Sequence, residues 1–72
     1  MGERITYGVF YTPKVFPDDW RIFTNWTTSY VDAKEEAEIL LKNPRFKVVI
    51  VKRIEAFKTI KFEYVGAENA PD

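Results

Sequence analysis

Residues 45–54, RFKVVIVKRI, decide the fold. In an extended chain Phe46, Val48 and Ile50 point to one side, and Val49 and Val51 to the other. A strand apolar on both sides needs cover on both sides, which predicts an interior position in a sheet. Basic residues bracket it: Arg45 and Lys47 before, Lys52 and Arg53 after.

Working forward, Ile60, Phe62 and Tyr64 alternate with Thr59, Lys61 and Glu63. That period predicts a strand over 59–66 with one apolar and one polar side, antiparallel to the central strand. Residues 54–57 hold no Gly, Pro, Asn or Asp, so the intervening turn is poorly signalled and a long, bent hairpin is allowed. Residues 67–72, AENAPD, are expected to be a flexible tail.

Working back, Pro44 separates the central strand from a helix expected over 32–43. Ala33, Ala37, Leu40 and Leu41, with Tyr30 near the start, form its buried stripe. Two N-cap registers compete: Ser29 with Asp32, and Asp32 with Glu35 in the manner of a capping box. Glu35 and Glu36 are expected in the first turn and Lys42 in the last, each suited to the helix dipole. Asn43 is expected in the left-handed C-terminal position. Ile39 falls off the stripe, among Glu35, Glu36 and Glu38.

Before the helix, 20–26 (WRIFTNW) and 4–11 (RITYGVFY) read as two strands of an antiparallel hairpin. Trp20, Ile22, Thr24 and Trp26 are expected on one side of the second, Arg21, Phe23 and Asn25 on the other. Gly8 interrupts the first, which marks a bulge or a close approach by a backbone, a helix or a partner. The Pro-rich loop 12–19 carries Val15 and Phe16, which either tuck under the sheet edge or stand out as a contact knob. The expected architecture is α+β, a single small domain over 1–72: a four-stranded antiparallel sheet in the order β-β-α-β-β with one helix on one face.

A chain of 72 residues buries only about 60% of its unfolded surface, so its stability is marginal. Disulfides and zinc sites with Cys or His ligands are excluded, because neither residue occurs. Two Trp, four Tyr and six Phe are more rings than one short helix can cover. The excess predicts an exposed apolar face that a second copy or another molecule covers. Equal numbers of basic and acidic residues, eleven each, argue against a strongly basic nucleic-acid binder. No apolar run approaches a membrane span and the first residues do not resemble a signal peptide, so a cytoplasmic location is expected. MGERIT fits the loose myristoylation pattern, which is too short to carry weight, and Asn25-Trp26-Thr27 matches a glycosylation sequon, which is expected to be accidental without a signal peptide.

Catalytic signals are weak. Ser29, the only serine, sits where a cap belongs, Asp18-Asp19 lies in a turn, and no Gly-rich phosphate loop exists. The reading is a non-enzymatic protein-binding module without metal or cofactor, expected to be a homodimer and to inhibit or regulate a larger protein. Its layout is similar in class to small accessory proteins of phages, though no motif carries the likeness. The residues expected at the interface are Tyr7, Trp20, Phe23, Trp26 and Tyr64, with Phe16 and Ile39 as outliers. The alternative is a sheet that binds single-stranded nucleic acid or a nucleotide through Arg45, Lys47, Lys52, Arg53, Lys58 and Lys61.

Overall fold

The computed structural model describes residues 2–67. Along the chain run β1 (Arg4–Pro13), β2 (Arg21–Ile22), α1 (Tyr30–Leu41), β3 (Phe46–Ala56) and β4 (Thr59–Ala67). The four strands form one antiparallel sheet in the order β2-β1-β3-β4, with α1 packed on one face. The expected fold class holds, and β3 occupies the interior position its two-sided apolar pattern demands. The expected tail, 67–72, lies outside the described residues except for Ala67, the last residue of β4.

The core sits under the helix. Ala33, Ala37 and Leu40 meet Val9 of β1 and Val48 and Ile50 of β3, all buried, with Tyr7, Tyr11, Phe46 and Val65 packed around them. Two alanines on the buried stripe bring the helix close to the strands, so small side chains suffice to fill the gap. Twelve helical residues span about 18 Å, whereas the eleven of β3 span about 36 Å. The helix therefore covers only part of one face, and Lys52 and Ile54 at the far end of β3 are only half-buried.

The helix starts two residues earlier than expected. Ser29 is the N-cap, in extended geometry, and its hydroxyl accepts the Asp32 amide at 3.2 Å. Tyr30 then falls in the first turn, where its ring meets Tyr7 edge-on at 5.3 Å. The earlier start leaves Asp32 as the sole acidic residue of the first turn and makes Lys42 the C-cap rather than a last-turn residue. Asn43 is not left-handed; its side-chain oxygen accepts the Arg45 amide at 3.0 Å and turns the chain into β3. Leu41 and Tyr30, expected in the buried stripe, are exposed.

The second strand departs most from expectation. Only Arg21 and Ile22 pair regularly, with Tyr11 and Phe10. The Phe23 amide donates to the Val9 carbonyl at 2.8 Å, but the next paired residue is Thr27, which exchanges both backbone bonds with Tyr7. Three residues, 24–26, thus lie opposite Gly8 alone, and the intervening chain bulges. Thr24 leaves the expected alternation and donates to the Glu36 carboxylate of α1 at 2.7 Å. The insertion adds an even number of residues, so Trp26 keeps the side that alternation assigns it.

The connections are tighter than the sequence suggests. Ala56 pairs with Thr59, so the β3–β4 turn holds only Phe57 and Lys58, with Lys58 at φ 70° supplying the left-handed residue. At the other end β1 extends to Pro13; Thr12 is buried and its hydroxyl donates to the Phe16 carbonyl at 2.8 Å. That bond closes the loop on itself, and Val15 and Phe16 stay exposed instead of tucking under the sheet.

Candidate interaction surface

The sheet face opposite the helix is built around Trp26. A Cβ added to Gly8 would lie 2.9 Å from the Trp26 ring, so the indole rests directly on the β1 backbone. The expected close approach at Gly8 is thus a side chain, not a backbone, helix or partner. Phe10 meets the indole edge-on at 5.6 Å, and the Arg53 guanidinium lies 4.2 Å from its centroid. Arg53 is held from beneath, its Nε donating to the buried Thr6 hydroxyl at 3.2 Å. The position is therefore fixed by a hydrogen bond as well as by the cation–π contact.

Beyond the indole the cover ends. Residues opposite one another in neighbouring strands share a side of the sheet. Val49 opposes Phe10, Val51 opposes Gly8 and Tyr64, and Arg53 opposes Thr6 and Phe62. The apolar side of β4 therefore points away from the helix. Ile60, Phe62 and Tyr64 are 57%, 61% and 80% exposed. A bulge gives the strand its direction at the other end: Ile50 opposes Gly66 and Val51 opposes Tyr64, leaving Val65 as the extra residue, packed against the core. A Cβ on Gly66 would come within 3.2 Å of the Ile50 side chain, so the bulge closes tightly over the core.

Phe10, Trp20, Trp26, Val49, Phe62 and Tyr64 are among the residues lining a half-open trough of about 540 Å³ on this face, with Glu63 the one charged residue in its lining. Its walls are almost wholly apolar, which suits side chains more than a charged ligand.

Of the residues expected at an interface, Trp20, Trp26 and Tyr64 meet at this trough. Tyr7 and Phe23 do not. Tyr7 lies on the helix side against Tyr30, and Phe23 meets Tyr11 there at 6.1 Å. Phe16 is exposed in the loop after β1 and Ile39 on the outer side of α1, neither part of the trough. Phe10, Val49, Val51, Phe62 and Ile60 belong to the surface although sequence reading passed them over. The available signal was the β4 alternation, joined to the Gly8 gap.

The six basic residues are not brought together. Lys47 and Arg53 share the open side, Lys52 and Lys61 lie on the helix side, Lys58 is at the hairpin tip and Arg45 precedes β3. Arg53 is already engaged by Trp26 and Thr6. Of the groups weighed for catalysis, the Ser29 hydroxyl is occupied as a cap, and Asp19 pairs with Arg21 at 3.2 Å on the surface.

Compared with protein-family models, curated proteins and solved structures, the chain matches none.

Proposed function

We propose that this chain is a small, non-enzymatic, self-associating protein-binding module that acts by occupying an apolar surface of a larger protein, as an inhibitor or regulator does. The observation that carries the reading is the outward direction of Ile60, Phe62 and Tyr64 beside the Trp26 trough. Rings and aliphatic side chains in contiguous exposure are what protein interfaces bury at their centres. Arg53 sets a polar fixed point beside the apolar floor, so a partner with an apolar knob and an acceptor next to it fits best.

The test is a comparison of captured proteins between variants. Val49→Lys places a charge in the trough floor, and Ile39→Ser alters only the outer side of α1. A protein retained by the wild type and by Ile39→Ser, and lost by Val49→Lys with unchanged circular dichroism, supports the reading. Retention by Val49→Lys defeats it. Binding to a single-stranded oligonucleotide that falls steeply with salt would replace it with the nucleic-acid alternative.

A further inference from the structure

The geometry points to the outer edge of β4 as a self-complementary strand-addition site, where a second copy of this chain pairs antiparallel about a two-fold axis through Phe62. This rests on the self-association proposed above, and it places that association on the backbone edge of β4, beside the trough to which β4 contributes Phe62 and Tyr64.

The two edges of the sheet differ. β2 has two residues and runs into a bulge, whereas β4 runs regularly from Thr59 to Tyr64 before its own bulge at Val65, and among the described residues nothing pairs with its outer side. Long uncovered edges are templates for another strand.

Backbone direction follows from the ladder. Tyr7 and Val9 turn their backbone groups toward the β2 side. Successive residues alternate, so Thr6, Gly8 and Phe10 bond β3 through Arg53, Val51 and Val49. That leaves Lys52 and Ile54 to bond β4 through Glu63 and Lys61. The amides and carbonyls of Ile60, Phe62 and Tyr64 therefore point outward, at the free edge.

With the axis at Phe62, Phe62 opposes its own copy, Ile60 opposes Tyr64, and all these pairs have outward backbone groups. Lys61 then opposes Glu63 of the second copy, and Glu63 opposes its Lys61. They fall at the non-hydrogen-bonded positions, where side chains approach most closely. Neither residue has an intrachain salt bridge among the described residues. Moving the axis one residue, onto Lys61 or onto Glu63, sets like charges opposite each other. Moving it two residues runs the pairing into the Phe57–Lys58 turn or into the Val65 bulge. The charge pattern thus selects one register. On the open face the same register sets the two rows of apolar side chains next to each other.

The chain has no cysteine, so an introduced one can form a disulfide only between copies. Phe62→Cys is expected to give a covalent dimer on mild oxidation, since directly opposed residues lie within disulfide reach. Ile60→Cys is not, because its own copy would be about 14 Å away. Lys61→Glu and Glu63→Lys should each weaken the wild-type dimer at least tenfold in sedimentation, and the double exchange should restore it. The inference is overturned by a wild-type mass of one chain at every concentration up to about 1 mM. It is overturned equally if Ile60→Cys cross-links as readily as Phe62→Cys, or if neither single charge variant alters the mass. Trp20→Ser separates the two proposals: it should lose the larger partner and keep the dimer.

Discussion

On the helix side of the sheet, Val9, Val48 and Ile50 are sealed by a regular element whose alanines bring it close. On the other side, Val49 and Val51 are sheltered chiefly by side chains, with Trp26 laid over a glycine and pinned by Arg53. The first seal is repeated along the strands; the second is centred on one ring, which reaches Phe62 of β4 at 6.3 Å and leaves Ile60 and Tyr64 bare. Both sides have alternating apolar residues, so alternation does not distinguish a core from a binding surface. What distinguishes them is which element the chain supplies to lie on top.

The largest effect should come from setting isoleucine against isoleucine across the sheet. Ile50→Ala empties a site in the core and is expected to cost about 3 kcal/mol in urea unfolding. Ile60→Ala, on the uncovered side, should stay within about 0.5 kcal/mol when measured at concentrations where the chain is monomeric. Equal losses would show that the open side is packed after all.

The second test breaks the Trp26 seal. Gly8→Ala pushes a methyl group into the indole and should cost about 2 kcal/mol. In a Trp26→Ala background the same change should cost well under half as much, because the indole clash has gone and only the Phe10 ring edge, 3.2 Å from the added carbon, has to give. An additive double mutant would mean that Gly8 is required for the strand itself and not for the ring.

Much of this frame is legible before any coordinates. The two-sided apolarity of 45–54, Pro44 and the alanine stripe together place one helix before an interior strand. The β4 alternation reveals two sides but not which is covered, because a period of two is symmetric between faces. Tyr7 and Phe23 resembled interface residues by type and were drawn to the helix side by register. The bulge between Phe23 and Thr27 has no Gly or Pro to announce it; it arises from tertiary bonds, the Tyr7–Thr27 bridge and the Thr24–Glu36 hydrogen bond. The helix start lay between two caps that local chemistry leaves nearly equal, and packing of Tyr30 on Tyr7 accompanies the one that forms. Ser29→Ala tests that choice on the sealed side: losing the cap should lower stability by about 1 kcal/mol. Asp32→Ala should cost less, since Asp32 is not the cap but a first-turn acid.

The smallest effect should lie at the hairpin that joins the sealed strand β3 to the bare strand β4. Lys58 holds φ 70°, where a Cβ is crowded, and its ammonium sits 5.4 Å from the exposed Phe57 ring. Lys58→Gly removes the crowding but frees the unfolded chain, and the balance should stabilise the protein by about 0.5 kcal/mol in urea unfolding. Hydrogen exchange then locates the gain. If β4 is held mainly by its turn and ladder, as its exposed rings imply, its amides should slow more than those of β1 under the helix. A uniform slowing across both strands would mean that β4 opens only with the whole sheet. The bare side would then be as firmly anchored as the covered one, and its exposure would reflect missing cover alone.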